Sequence, residues 1–256
     1  MNKIIINSFI AATVLLAVSC KKDIDYKTDS SFVEPSTALL KINYLSAYTT
    51  NPSVQLAING ERVSGLIAGR TPFPGGGFNT NGSSFPDYLA VKPGANVLKI
   101  SIPKRLTNVD SIVLFTGNLS LEATKNYTAH ITDTFAKTKM LVIEDSMWAA
   151  PRGQSKYRFL NMMPNVPFID LYFGTTKVAG AIPYLGSSAY FYIPVPATSL
   201  TWSIRETGTS ATSTALATYL SGNTSTSQRV YSVFALGYKG STAANTRPFV
   251  SFLLTR

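Results

Sequence analysis

Side chains able to do nucleophilic or acid–base chemistry are scarce in this sequence. The 256 residues include one histidine, His130, and one cysteine, Cys20. A single histidine excludes a metal site built from several histidines within one chain. His130 falls on the polar face of a predicted strand, Tyr127–Thr132, where we expect a surface histidine and not a member of a catalytic triad. We therefore predict no catalytic residue, no metal site and no cofactor.

The thirteen acidic residues form no pattern typical of a hydrolase. A glycosidase holds two carboxylates roughly 5 to 10 Å apart across a cleft, and no spacing here predicts such a pair. Asp170 interrupts an apolar strand, but its counterpart in the internal repeat described below is Gln55. A hydrogen bond at a sheet face or turn explains both residue types, whereas chemistry explains only one. A glycan hydrolase is the weakest of the three functions considered.

The glycine-rich segment 68–87 is predicted to be a long loop without secondary structure of its own. It is dense in proline and aromatic residues and joins no strand to a helix, so it is not a phosphate-binding loop. Long loops of this kind are usually functional or disordered. Its rings and amides would suit a polar ligand, but the rings could equally fold back to cap the open end of a sandwich core. The candidate ligand-binding residues are Phe73, Phe78, Asn79, Asn81 and Phe85.

A second aromatic group lies in a predicted strand further along the chain. Tyr190 and Tyr192 would share one face of this strand, with Phe191 and Ile193 on the other, because side chains alternate along a strand. Tyrosine has an apolar ring and a polar tip and suits stacking on a sugar. Ordinary tyrosines on a sheet face give the same pattern. Tyr190 and Tyr192 complete the set of candidate ligand-binding residues.

The first twenty residues are typical of a lipoprotein signal. Met1–Lys3 begins with a positive charge and Ile4–Val18 is almost wholly apolar, about the length of a secretory signal and short for a membrane-spanning helix. Leu16–Cys20 resembles a lipobox, and the one cysteine of the chain stands where acylation requires it. We expect residues 1–19 to be cleaved and Cys20 to be lipidated. The alternatives are a plain secretory signal or a buried strand with an incidental cysteine.

Residues 20–37 are predicted to be the lipid anchor and a flexible tether, because they are polar, mixed in charge and without periodicity. The lysine-plus-acidic start after Cys20 resembles surface-exposed lipoproteins of the Bacteroidota type. This implies an outer-membrane anchor with the protein on the cell surface, the periplasmic face being the alternative. Asp110-Ser111-Ile112 and Asp145-Ser146-Met147 resemble an O-glycosylation acceptor of such envelopes, which implies sugars on Ser111 and Ser146.

The rest of the chain alternates between short strands and turns. Val54–Ile58 leads into Asn59-Gly60, a strong hairpin signal. Strands of this length divided by Gly, Pro and Asn turns predict an all-β sandwich. The best helical candidate, Ala211–Leu220, is rich in Thr and Ser and is predicted to be a strand with its approach.

Three blocks of sequence recur in the same order, which predicts two tandem sandwich domains of about 100 residues each. The predicted bounds are 38–147 for the first domain, 148–154 for a linker and 155–256 for the second. The first copy of the three blocks comprises residues 41–47, 54–63 and 127–133. The second copy comprises, in the same order, residues 158–164, 169–178 and 231–237.

The second copy resembles a known family. Arg158–Pro164, Phe168–Gly174, Ser188–Tyr190 and Tyr231–Val233 are similar to the domain-of-unknown-function family numbered 4397. The resemblance covers most of residues 156–256 and, more weakly, 38–146. It implies immunoglobulin-like antiparallel β-sandwiches of a kind common in secreted and lipid-anchored bacterial proteins. The family has no catalytic residue to carry over.

The net charge of +10 arises from dispersed lysines and arginines, and no nucleic-acid motif accompanies them. We expect no nucleic-acid partner. The sequence favours a non-catalytic surface binding or assembly module for a glycan or another envelope protein, held at the membrane by its lipid. The alternative is a structural spacer or adhesive stalk domain without a small ligand. The oligomeric state is left open by these patterns.

Overall fold

A computed structural model describes residues 36–79, 86–197, 199–220 and 224–256. The described part belongs to one compact unit, Pro35–Arg256. The predicted signal, Cys20 and nearly all of the predicted tether lie outside the described residues. The described ranges contain no α-helix, and a short 3₁₀ turn lies at Phe135–Lys137. The all-β sandwich prediction is confirmed, while the immunoglobulin-like label stays a prediction.

The first half of the chain forms a sandwich of two sheets. Its strands are β1 (Ala38–Tyr44), β2 (Gln55–Ile58), β3 (Glu61–Arg62), β4 (Thr71–Phe73), β5 (Leu89–Val91), β6 (Gly94–Pro103), β7 (Asp110–Leu121), β8 (Asn126–Thr132) and β9 (Lys139–Glu144). One sheet has the order β4-β1-β8-β9, with β5 also paired to β1, and the other has the order β3-β2-β6-β7. Alternate residues from both sheets, such as Leu40, Ile42, Leu56 and Ile100, fill the core between them.

The second half forms another sandwich. Its strands are β10 (Gln154–Asn161), β11 (Phe168–Phe173), β12 (Thr176–Pro183), β13 (Phe191–Pro194), β14 (Thr201–Glu206), β15 (Ala217–Leu220), β16 (Val230–Leu236) and β17 (Phe249–Leu254). The sheets have the orders β13-β10-β16-β17 and β12-β11-β14-β15. Trp202, fully buried, packs against Tyr157, Phe173 and Phe252 at the centre of this core.

The two halves share one pattern of strand pairing. In each half the first strand runs parallel to the penultimate strand, β1 to β8 and β10 to β16, and that strand pairs antiparallel with the last one. The blocks that recur in the sequence begin on these matched strands. The domain bounds drawn from the recurrence stay a prediction.

Local turn chemistry agrees with the sequence at two places. Asn59 and Gly60 join β2 to β3 with φ of 52° and 89°, as a two-residue hairpin with both central residues at positive φ requires. Ala211–Leu220 ends in β15 and contains no helix. Both predictions are confirmed.

The sheets that contain β8 and β16 meet through their outer faces. A third apolar cluster lies between them and includes Leu45, Ile143, Leu160, Met162, Phe234, Leu236 and Leu253. A side-chain hydrogen bond also crosses the contact, because the Thr132 hydroxyl donates to the carbonyl of Met162 at 2.6 Å. This contact covers residues that would face solvent in a single sandwich.

Candidate functional site

His130 lies in the contact between the halves and is fully buried. Its ring centroid is 5.8 Å from that of Phe234, and its Nδ1 is 3.1 Å from Nδ2 of Asn43. Burial, with the positive charge of Arg158 adding to it, lowers the pKa of His130 to about 3. The prediction of a surface histidine is wrong, because the second half covers the polar face of β8.

A cleft of about 450 Å³ opens where the end of β9 approaches β10 and the residue before β13. It lies between the two halves and includes part of the predicted linker. The side chains that matter for its chemistry are Lys125, Glu144, Asp145, Trp148, Arg158 and Tyr190.

Tyr190 forms one wall of the cleft and is held by cations. The guanidinium carbon of Arg158 lies 4.0 Å from its ring centroid, and Nζ of Lys156 lies 4.2 Å away. Its hydroxyl accepts a hydrogen bond from the backbone N–H of Ser146 at 3.2 Å. Burial raises the pKa of Tyr190. The ring is therefore fixed in place and neutral near pH 7.

Asp145 forms the buried floor of the cleft. Its Oδ2 accepts hydrogen bonds from the hydroxyls of Thr128 at 2.6 Å and Tyr88 at 3.0 Å. Burial raises the pKa of Asp145 to about 6, although those bonds and the charges of Arg158 and Lys41 lower it. The carboxylate is engaged from inside the protein.

The rim of the cleft combines an exposed aromatic ring with charged groups. Trp148 is 82% exposed. Lys125 lies between Glu122 and Glu144, with N–O distances of 2.9 and 3.1 Å. Arg158 donates to the backbone carbonyl of Glu144 at 3.1 Å. A flat apolar ring beside fixed donors and acceptors can bind a polar molecule that also has an apolar face.

The tyrosine pair lies as the alternation predicts. Phe191 and Ile193 pack into the core of the second half, and Tyr190 and Tyr192 lie opposite that core. Tyr192 is 46% exposed and pairs in register with Lys156. Of the two tyrosines, only Tyr190 lines the cleft.

The segment 68–87 contains secondary structure, contrary to the prediction of a plain loop. Phe73 lies in β4 and packs against the first core. Phe78 packs against the cluster between the halves and bridges to Leu253 of β17. Asn79 exchanges hydrogen bonds with Phe252: its N–H donates to the carbonyl at 2.9 Å and its Oδ1 accepts from the N–H at 2.8 Å.

These positions commit Phe73 and Phe78 to packing. A Cβ on Gly77, at φ 78°, would lie 2.8 Å from the carbonyl oxygen of Leu254, so glycine permits the close approach to β17. Asn81 and Phe85 lie outside the described residues. Ligand binding by this segment stays a prediction.

The two serine motifs differ in exposure. Ser111 is exposed on β7, whereas the hydroxyl of Ser146 accepts a hydrogen bond from Nζ of Lys156 at 2.8 Å. Glycosylation of either serine stays a prediction.

Asp170 and Gln55 are both hydrogen-bonded. Asp170 accepts from Thr207 and from the N–H of Ala181, both at 2.7 Å. Gln55 donates to Asp110 at 2.9 Å. The hydrogen-bonding interpretation of this matched pair is confirmed.

Sequence reasoning missed Trp148, Arg158, Glu144 and Lys125 as site residues. A tryptophan in a segment predicted to be a linker was the one available signal, because such a segment has no core of its own in which to bury the ring. Lys125 and Glu144 pair within the first half, and Arg158 reaches Glu144 only through the contact between the halves.

Two searches of the described residues give negative results. They contain no group of three or more His, Cys, Asp or Glu side chains placed to hold a metal ion. No helix among them has the length and hydrophobicity needed to cross a membrane.

Comparison with known proteins gives a family match and several matches among solved structures. A solved leucine-rich repeat protein from Bacteroides thetaiotaomicron is 11% identical, with a TM-score of 0.18, over 73% of this chain and 24% of its own. The chain thus spans about a quarter of that protein, and a likeness this weak carries no argument. None of the curated proteins compared with the chain matches it.

The family match covers residues 40–172, in a single copy. It includes β1 to β10 and nearly all of β11, so it lies mainly in the first half, where the resemblance in sequence was the weaker one. The matched residues make up more than half of the chain. The chain therefore belongs to the family described as Domain of unknown function (DUF4397).

Proposed function

We propose that this protein is a non-catalytic binding module of the cell envelope and that it holds a glycan in the cleft beside Trp148 and Tyr190. The observation that carries the proposal is the 82% exposure of Trp148 on the rim of that cleft. An exposed aromatic ring leaves apolar area in contact with water, so a ligand that covers the ring is stabilised by the burial of that area.

Sugars fit the chemistry of this cleft. The apolar face of a pyranose ring can stack on Trp148, while its hydroxyls meet charged groups already held by internal bonds, Glu144 by Lys125 and Arg158 by Tyr190. Groups fixed in advance lose little conformational entropy on binding.

Internal bonding supports a binding role over hydrolysis. The two carboxylates at the cleft, Glu144 and Asp145, are each engaged: Glu144 by Lys125, and Asp145 by the hydroxyls of Thr128 and Tyr88. A hydrolase needs one such group free to meet substrate.

The proposal includes the anchor, cell-surface exposure in a Bacteroidota-type envelope, and tandem copies of the domain. Cys20 is its lipidated residue. Replacing Cys20 with Ala should move the protein from the membrane fraction to the soluble fraction, since two or more acyl chains are needed for a stable hold. Membrane retention of C20A after cleavage of the signal would contradict the anchor.

One observation favours the alternative, a spacer or stalk domain. The buried cluster between the halves joins the two sandwiches into a single compact unit, which is the construction a stiff spacer needs. A spacer of this kind would not require an exposed ring at the cleft.

Binding can be measured with the chain that lacks residues 1–19, screened on a glycan array and then titrated with the best oligosaccharide. The chain has two tryptophans and Trp202 is fully buried, so a fluorescence change on binding reports Trp148. Trp148→Ala should weaken binding by about tenfold or more and leave thermal unfolding almost unchanged.

The matched control is Phe168→Ala, which removes an exposed ring on β11 that does not line the cleft. It should bind like the wild type. Equal loss in both variants, or no binding to any glycan, would refute the glycan site and leave the spacer.

A further inference from the structure

Two arginines from different halves share one aromatic ring. Arg70 precedes β4, and its guanidinium carbon lies 4.4 Å from the ring centroid of Phe249. Arg247 precedes β17, and its guanidinium carbon lies 4.9 Å from the same centroid. Both cations therefore lie against the same ring, although the two arginines are 177 positions apart in the sequence.

Neither cation is neutralised within the described part of the chain, where the ion pairs involve other residues. Burial, and then the charge of Arg247, lower the pKa of Arg70. Contact with an aromatic face attracts a cation but does not remove its charge. Two guanidinium groups held together without a carboxylate leave a local excess of positive charge.

The backbone fixes both arginines. Arg70 adopts φ 63°, and its N–H donates to the carbonyl of Tyr44 at 2.7 Å. A Cβ on Gly237, at φ 89°, would lie 2.1 Å from the carbonyl oxygen of Arg247, so only glycine allows the end of β16 to approach this loop so closely. The N–H of Arg247 donates to Ala243 at 2.9 Å.

The surface beside Arg247 is shaped to take a polar group. A cleft of about 450 Å³ is lined by Arg247 and Phe249 together with the hydroxyl-bearing residues Thr218, Ser241 and Thr242. Guanidinium groups match the oxygens of phosphate, sulfate and carboxylate with paired donors, and hydroxyls add further donors.

We propose that Arg70 and Arg247 together bind an oxyanion, which is a phosphate, a sulfate or the carboxylate of an acidic sugar. The bound anion bridges the two halves, since each half supplies one arginine. This site is separate from the cleft beside Trp148 and does not depend on the function proposed for that cleft.

The probes are sodium phosphate and sodium sulfate, with sodium chloride at equal ionic strength as the control for screening. Phosphate and sulfate raise the unfolding temperature of proteins in general relative to chloride. The chain without residues 1–19 should therefore show a larger rise than its Arg70→Gln variant, because a ligand that binds only the folded state adds to that general effect. Calorimetric titration then gives the affinity. Sodium glucuronate is a second arm: tighter binding than phosphate identifies an acidic glycan, and weaker binding identifies a free tetrahedral anion.

Arg70→Gln and Arg247→Gln should each weaken phosphate binding by about tenfold or more. Arg105→Gln makes the same chemical change at an exposed hairpin position and should bind like the wild type. Arg70→Lys keeps the charge but loses the paired donors, and an intermediate affinity is expected.

Stability alone does not decide the matter, since either arginine also packs on Phe249. A variant with lower thermal stability but wild-type phosphate affinity would show that the pair is only structural. An equal rise in unfolding temperature from chloride to phosphate or sulfate in the wild type and in Arg70→Gln would also overturn the proposal.

Discussion

The two sheets that face each other between the halves come from matched strands but differ in chemistry. The β10–β16 side is mostly apolar at the contact, while the β1–β8 side buries polar and charged groups. His130 and Phe234 occupy matched positions in the recurring blocks and contact each other. The β1–β8 side buries the polar residues Lys41, Asn43, Thr128, His130, Thr132 and Asp145, whereas the β10–β16 side buries Leu160, Met162, Phe234, Leu236 and Leu253, with the small polar residues Ser232 and Ser251 beside them.

The two sides of this contact therefore contribute differently to the stability of the protein. Apolar side chains stabilise it through burial, at roughly 25 cal/mol per Å². Buried polar groups weaken it unless they are hydrogen-bonded, and Nε2 of His130 and Oδ1 of Asn43 have no partner in the described part of the chain. We therefore expect the apolar side to determine how stable the contact is and the polar side to determine how stability depends on pH.

The largest expected effect comes from the apolar side. Leu160→Ala should lower the free energy of unfolding by about 2 to 5 kcal/mol, because Leu160 is fully buried between the halves. Leu106→Ala makes the same change at a side chain that is 96% exposed and should change it by about 0.5 kcal/mol at most. Denaturation in urea measures both, and equal effects would contradict the assignment of the contact as a core.

The polar side should make the protein sensitive to acid through His130. Its pKa of about 3 in the folded state lies below the unfolded value of about 6.5. The contribution of neutral His130 to the free energy of unfolding is therefore fully present above pH 6.5 and is lost as the pH falls toward 3. His130→Phe introduces the residue type found at the matched position, Phe234. It should reduce the loss in free energy of unfolding between pH 7 and pH 4.5 by about 2 to 3 kcal/mol. Urea denaturation of both proteins at the two pH values measures this.

Asp145 provides a control, because its effect on the pH dependence of stability is opposite in sign to that of His130 and smaller. Its pKa of about 6 in the folded state lies above the unfolded value of about 3.9, so its contribution to stability increases as the pH falls from above 6 to below 4. Asp145→Asn should remove this gain, which is about 2 kcal/mol between pH 7 and pH 4.5, so the variant should lose more stability than the wild type over that range. If both variants shifted the pH dependence in the same direction, the contrast between the groups would be wrong.

The strands themselves could be predicted from short stretches of sequence. Val54–Ile58 with Asn59-Gly60 and Tyr127–Thr132 each show alternation or turn residues that act locally, and both correspond to observed strands or turns. Local signals work here because a strand's side-chain period and a hairpin's backbone angles depend only on neighbouring residues. The matched order of the recurring blocks likewise predicted a repeated unit.

The candidate site could not be predicted in the same way. Tyr190 was selected from its strand face, but Trp148, Glu144 and Arg158 come from segments whose patterns give no sign that they meet. The sequence left Phe78 open between ligand binding and packing, and only the folded chain places it against the apolar cluster between the halves. Contacts between distant segments depend on how whole surfaces fit, which no local period encodes.

The sequence by itself determined the all-β class, the positions of the main strands and the inward faces of each sandwich, because apolar alternation specifies which side of a strand is buried. Only the tertiary structure decided whether the outward faces are buried or exposed to solvent. His130 is a polar residue on an outward face, a pattern that indicates solvent, and it is buried because Phe234 and the second sheet cover it. Lys41 and Asp145 are buried as well, and Tyr88 contacts both of them. The same docking brings Arg70 to Arg247 and forms the cleft beside Trp148, since both places draw their side chains from two halves that meet only in the folded chain.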